Sequence, residues 1–207
     1  KMATYIGLDL GTSSLKAILI DEDETVLAEH TVPLSVQRPH DGWSEQDPAS
    51  WAAAAEAALA ALAGKADCSA LAGIGLSGHM HGATLLDAED RVLRPCMLWN
   101  DTRSAAQAAR MDADPRYRAI TGNIVFPGFT APKVEWVRET EPEVFEKIAK
   151  VLLPKDYLRL HLTGGHVTEM SDAAGTAWFD TGARDWSDAL LADCRLSRAQ
   201  MPSLVEG

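Results

Sequence analysis

The sequence predicts an α/β fold, and three observations carry that prediction. Apolar runs of strand length occupy residues 4–10, 15–21 and 25–34, one directly after another. An alanine-rich stretch then opens on Asp47-Pro48, an N-cap followed by proline at the first helical position, and reads as a helix to about residue 63. A further strand pattern at residues 71–76 leads into mixed helix and strand patterns with no internal repeat. With 207 residues and 46% hydrophobic content, the chain can bury one sizeable core.

Each element has a local cause. Asp21-Glu22-Asp23-Glu24 turns the second strand into the third; it lacks the glycine and closing glutamate of a calcium loop and reads as a solvated turn. Residues 35–46 are a polar loop with Pro39 and Trp43. Gly64 is a plausible stop for the alanine-rich helix. The glycines of residues 71–76 suggest close approach by another backbone. Residues 83–87 and 91–93 form a hairpin, and 96–99 a short apolar run. Asn100-Asp101 ends that run and caps a helix from 102 to about 111. Helices at 132–139 and 142–149 each carry a proline in the first turn. A short strand at 151–153 precedes a helix at 155–162 that Gly164-Gly165 stops. Residues 166–180 are polar, 185–194 look helical, and Ser197 caps another start.

Composition excludes several classes. A net charge of −11 argues against a nucleic-acid binder, yet allows a phosphorylated small molecule, which needs only a few amides and a metal. Cys68, Cys96 and Cys194 are scattered, without a CxxC pair; they read as reduced thiols of a cytoplasmic protein. The longest apolar stretch, residues 51–63, is too short to span a bilayer, and no signal peptide is expected.

The first two strands meet at Asp9-Leu-Gly-Thr-Ser13. Gly11 lets backbone come close to a ligand. Thr12, Ser13 and the turn amides can donate to phosphate oxygens. Asp9 can hold a hydrated Mg²⁺, an ion that takes only one or two carboxylates. An ordinary hairpin with a solvated aspartate is the alternative. Gly73-Ile-Gly-Leu-Ser-Gly78 has the spacing GxGxxG, but its glycines lie within a strand and no helix follows, so it is no dinucleotide fingerprint. Gly11-Thr-Ser-Ser-Leu-Lys16 lacks the second glycine of a Walker A loop. His79-Met80-His81 follows a strand and suits either hydrogen bonding to a polyol or a structural loop. Trp99 can wall a sugar pocket and Asp101 can bond sugar hydroxyls, or Asn100 and Asp101 simply cap a helix. Asp172 is a further pocket carboxylate or, more simply, part of a solvated loop.

In order, the motifs resemble the N-terminal part of the FGGY family of carbohydrate kinases. The matching stretches are Tyr5-Ile-Gly-Leu-Asp-Leu-Gly-Thr-Ser-Ser-Leu-Lys16, Trp43-Ser-Glu-Gln-Asp-Pro48, Gly78-His-Met-His-Gly-Ala-Thr-Leu-Leu-Asp87, Leu98-Trp-Asn-Asp101, Ile120-Thr-Gly-Asn123, Pro127-Gly-Phe-Thr-Ala-Pro-Lys133, Val151-Leu-Leu-Pro-Lys-Asp-Tyr-Leu-Arg-Leu160 and Met170-Ser-Asp-Ala-Ala-Gly-Thr176. The resemblance implies a ribonuclease H-like fold of the actin-like ATPase superfamily, a mixed sheet with helices on both faces. It implies ATP-dependent phosphorylation of a sugar, D-xylulose by the branch the motifs look closest to. Ribulokinase and gluconokinase activities, or a sugar-binding module without catalysis, are the alternatives. By matching motif, Asp9 organises Mg²⁺, Thr12 and Ser13 contact the ATP phosphates, Met80 and His81 line the sugar site, Trp99 and Asp101 stand beside it, and Arg118 is a further candidate for it. Family members are longer, with the general base in a later glycine-rich stretch and the nucleotide held by a second domain. No Gly-Gly-Asp-Asn occurs here, so residues 1–207 are expected to be the sugar-side domain, inactive alone. The surface that would meet a second domain predicts either self-association, as in a homodimer, or marginal stability of residues 1–207.

Overall fold

The computed structural model describes residues 2–207. β1 (Thr4–Leu10) alternates strictly: Thr4, Ile6, Leu8 and Leu10 are buried, whereas Tyr5 and Asp9 are exposed. β2 (Ser14–Asp21) pairs antiparallel with β1, and β3 (Val26–Pro33) antiparallel with β2. β4 (Glu45–Gln46) leads to α1 (Pro48–Lys65), whose N-cap Asp47 accepts from the Ala49 amide at 2.9 Å. The helix does not stop at Gly64 as expected. Gly64 sits within its last turn, and the chain leaves at Ala66 in extended conformation, so no left-handed cap is needed. β5 (Leu71–Gly78) returns parallel to β1, giving a four-stranded sheet in the order β3-β2-β1-β5.

The rest of the chain builds a second layer. It runs β6 (Thr84–Leu86), β7 (Cys96–Met97), α2 (Ala105–Asp112), α3 (Pro115–Thr121), α4 (Thr130–Thr140), α5 (Pro142–Phe145), β8 (Lys150–Leu152) and α6 (Pro154–Thr163). It ends with β9 (Val167–Glu169), α7 (Met170–Ala173), β10 (Phe179–Asp180), β11 (Asp185–Trp186), α8 (Asp188–Asp193) and β12 (Ser203–Val205). α3 is absent from the sequence reading, although Asp114 caps it, Pro115 starts it and Gly122 closes it at φ 72°; at seven residues it is too short for periodicity to reveal. α2 begins at Ala105, because Asp101 is turned inward and caps nothing on it. Residues 185–186 pair as a strand, and the helix waits for the Ser187 cap.

Two clusters form the core. Ile6, Leu8, Leu10, Leu15 and Leu19 pack with Trp51 and Leu62 of α1 and Leu158 of α6. A second cluster gathers α2, α4, α8 and β10 around Trp178, which is fully buried. Helices thus cover one face of the four-stranded sheet. The other face, expected to carry helices too, exposes Tyr5, Asp9, Gly75 and Ser77 among the described residues. At Gly73 and Gly75 the expected close backbone approach is absent among the described residues: a Cβ on Gly73 would meet only the Tyr5 ring, at 3.8 Å, and one on Gly75 no atom within 4 Å.

Candidate active site

The candidate site lies where β1 and β5 end, the position at which ligands gather in open α/β sheets. Asp9, exposed on the open face, accepts from the Ser77 hydroxyl at 2.8 Å through Oδ1 alone. It stands opposite Lys16, whose ammonium pairs with Glu29 at 3.3 Å. Gly7, Asp9, Lys16, Ile18, Gly75 and Ser77 line a groove of about 450 Å³. A single carboxylate with one oxygen uncommitted suits a cation that keeps most of its waters, and among the described residues no second acid forms a cage with it.

The turn itself is a two-residue loop: the Gly11 amide bonds the Ser14 carbonyl at 2.9 Å, with Thr12 and Ser13 between. Neither turn residue has positive φ, so it is none of the primed turns that such hairpins favour. Tertiary bonds hold it instead. Gln46 Nε2 donates to the Thr12 carbonyl at 2.7 Å, Leu34 N–H to the Ser13 carbonyl at 2.9 Å, and Trp99 Nε1 to the Thr12 hydroxyl at 3.1 Å. The turn between β1 and β2 and Trp99 are therefore in direct contact.

Beyond β5, His79 N–H bonds the Leu10 carbonyl at 2.9 Å, and its ring meets Trp51 edge-on at 5.6 Å. Both its ring nitrogens are buried without a protein partner. Burial pushes its pKa down to about 4, against the opposing pull of Asp9. The unfolded chain therefore binds a proton that the folded one refuses between pH 6.5 and about 4, and stability falls with pH across that window. On taking the protein from pH 7 to pH 4.5, urea denaturation should show roughly 2 kcal/mol more loss for the parent than for His79→Gln. Equal losses in the two would show that His79 titrates normally.

His81 sits at φ 70°, and the Gly82 amide reaches back to the Met80 carbonyl at 2.9 Å, a γ-turn of the rare positive-φ kind. Such a conformation costs roughly 1–3 kcal/mol and persists only when neighbours impose it. Thr130 Oγ1 donates to the His81 carbonyl at 2.8 Å, and a Cβ on Gly82 would lie 2.8 Å from Pro154. The imidazole packs against Phe129, with centroids 4.7 Å apart, and over the Gly175 backbone. Burial lowers its pKa, Asp172 opposes and Lys133 reinforces, so His81 is neutral at pH 7. Met80 and Trp99 are both exposed, at 47% and 42%.

The structure corrects the roles expected of two residues. Asp101 has no exposed surface. Its Oδ2 takes the Ser44 amide at 2.7 Å and Arg103 Nη2 at 2.6 Å, and Oδ1 takes the Arg103 amide at 3.0 Å. Its acceptor capacity is used internally, so it supports the wall without facing a sugar. Arg118 lies on α3 with its guanidinium 3.4 Å from Asp112, lining a separate cleft with Pro115 and Ala119. It is not brought to Met80, His81 or Trp99 by any of these contacts.

Sequence reasoning also missed what Trp43-Ser-Glu-Gln46 does. The Arg103 guanidinium stacks on Trp43 at 3.6 Å and pairs with Glu45 at 3.0 Å, while Ser44 holds Asp101 and Gln46 holds Thr12. Asp172, read as a solvated loop residue, instead binds Lys155 at 2.5 Å. Lys155 also meets Asp156 at 2.9 Å and Glu169 at 2.7 Å, and Arg159 bonds Glu169 as well. Burial works against the Lys155 charge, but Asp156 and Asp172 outweigh it and hold the ammonium above its ordinary pKa. The three acids lie within 4.8 Å of one another, and the one Lys155 ammonium contacts all three.

With its acid-bearing hairpin, the Met80-His81 loop after β5 and Trp99 after β7, the domain shares the actin-like ATPase fold of solved sugar kinases. The chain belongs to the FGGY family of carbohydrate kinases, whose N-terminal domain matches residues 4–207. It is 55% identical over 204 residues to the xylulose kinase of Escherichia coli (strain K12), covering 98% of this chain and 42% of that protein. It superposes on the crystal structure of a xyloylose kinase from Brucella ovis with TM-score 0.97 and 63% identity, covering 99% of this chain and 43% of that one. A gluconate kinase from Lactobacillus acidophilus also superposes, with TM-score 0.94 at 25% identity over 99% of this chain and 42% of that one. The chain thus spans about two fifths of the length of these relatives. No helix among the described residues is long and apolar enough to cross a membrane.

Proposed function

We propose that the full-length protein carrying this chain phosphorylates D-xylulose with ATP and Mg²⁺, and that this chain supplies the sugar wall and the phosphate turn. The observation that carries this reading is the Trp99–Thr12 hydrogen bond of 3.1 Å, which puts the two halves of such a site side by side. Met80 and the Trp99 ring offer apolar surface to the carbon skeleton. Neutral His81 offers one donor and one acceptor to sugar hydroxyls. Thr12, Ser13 and the turn amides donate to phosphate oxygens. Asp9 holds hydrated Mg²⁺, which when bound offsets charge on the phosphate chain. A general base must reach the reacting hydroxyl. Asp101 is buried in its Arg103 pair and Asp9 serves the metal, so the base is assigned to the rest of the full-length protein. Identity to xylulose kinases favours D-xylulose over gluconate, since the gluconate kinase shares the fold at much lower identity.

The test is ADP release by the full-length protein on D-xylulose, D-ribulose and D-gluconate, alongside Gly175→Ala. An alanine Cβ would fall 2.4 Å from His81 Cε1, so the ring must leave its seat. KM for D-xylulose should rise about tenfold or more, a loss of roughly 1.4 kcal/mol, with KM for ATP changed less than about twofold. Preference for another sugar, or an unchanged D-xylulose KM in Gly175→Ala, would overturn the assignment.

A further inference from the structure

Thr12 is held from two sides by groups whose chemistry leaves little freedom. An indole N–H can only donate. Trp51 Nε1 lies 3.0 Å from Gln46 Oε1, which fixes that atom as the amide oxygen and turns the Gln46 NH₂ toward the Thr12 carbonyl at 2.7 Å. Gln46 is fully buried, and its NH₂ also reaches the Ser35 carbonyl at 3.3 Å, so both its ends are committed. On the other side Trp99 Nε1 lies 3.1 Å from Thr12 Oγ1, so the hydroxyl must accept there. A threonine hydroxyl has one proton to give. No acceptor for that proton is found among the described residues, and a hydroxyl that already accepts is the stronger donor for it. The turn that presents it is of an unfavoured kind, so its shape depends on these bonds.

We infer that Trp99 and Gln46 are positioning residues that set Thr12 as a hydroxyl donor to a phosphate oxygen, and that Trp99 thereby links the sugar wall to the phosphate turn. The inference rests on the kinase reading above and adds residues to it that neither touch phosphate nor take part in proton transfer. Gln46 holds the main chain of the turn, and Trp99 holds the side chain.

Two measurements test it. In the full-length protein, Trp99→Phe keeps an aromatic wall and removes the N–H, and Thr12→Val keeps the shape and removes the hydroxyl. Each should raise KM for ATP or lower kcat about fivefold, the scale of one lost hydrogen bond, and Thr12→Val, which leaves the Trp99 wall intact, should keep KM for D-xylulose within about twofold. The double variant should be no worse than the worse single one, and Thr12→Ser should restore most of the loss. Multiplying effects, or a defect confined to the sugar KM, would overturn the inference. The second measurement is made on the full-length protein without turnover. The Trp99 indole ¹⁵N–H resonance, identified by its loss in Trp99→Phe, should move in Thr12→Val but not in Thr12→Ser, and should move on adding pyrophosphate only where the hydroxyl remains. An indole signal blind to both changes would refute the link even in an active kinase. A responsive indole in a protein that phosphorylates no sugar would refute the kinase reading and leave the link standing.

Discussion

Arg103→Ala is expected to destabilise the fold by about 3–5 kcal/mol, the range for breaking a buried charge pair by removing one partner. Arg103 is 1% exposed and sits between Asp101 at 2.6 Å and Glu45 at 3.0 Å, which are nearly as buried. Its guanidinium lies 3.6 Å from the centroid of Trp43 and 5.1 Å from that of Trp136. Alanine strands the Asp101 carboxylate in a dry site, leaves Glu45 only its 3.7 Å pair with Arg94, and removes the plate on which both indoles rest. Against a total stability of roughly 5–15 kcal/mol, the change should be plain in thermal or urea unfolding. Arg103→Lys should recover less than half of it, because an ammonium reproduces neither the forked contact with Asp101 nor the flat stacking on Trp43. A loss under about 1 kcal/mol in Arg103→Ala would mean that the pair relaxes into water and does not tie the Trp43–Gln46 segment to the Trp99 strand end.

Asp9→Asn in the full-length protein should lower kcat about 100-fold or more, equivalent to about 2.7 kcal/mol, while leaving D-xylulose binding within about twofold. The amide oxygen of asparagine can still accept from Ser77, so the strand ends stay in place. What is lost is the negative charge that draws a hydrated cation to the groove. Calorimetry with D-xylulose and a Mg²⁺ titration of the rate separate the two functions. The variant should need much more Mg²⁺ to reach its maximum rate. Loss of sugar binding with unchanged Mg²⁺ dependence would place Asp9 on the sugar side.

Much of the fold was legible because its signals are local. The strand pattern of β1, the Asp47-Pro48 start of α1 and the Gly164 stop of α6 each act over a few residues, and all appear as read. Where signals were short or shared, the reading slipped. α3 has the same Asp-Pro start and glycine stop as longer helices but too few residues for a periodic face. Gly64 looked like a cap, yet a glycine near a helix end is also tolerated inside the last turn.

The site divides in the same way. By itself the sequence determined that an acid and hydroxyls occupy the turn between β1 and β2, that Met80 and His81 follow β5, and that the motifs match the FGGY family in order. Only the tertiary structure decided which polar groups remain free for a ligand. Asp101 and Ser44 are 57 residues apart, Asp172 and Lys155 are 17, and Thr12 and Trp99 are 87. Nothing local says that Asp101 is committed to Arg103, or that Thr12 has its lone pair held and its proton free. A hydrogen-bonding side chain reads the same in sequence whether it faces solvent or a buried partner. Its role is set by which distant donor or acceptor the packed core brings within 3 Å.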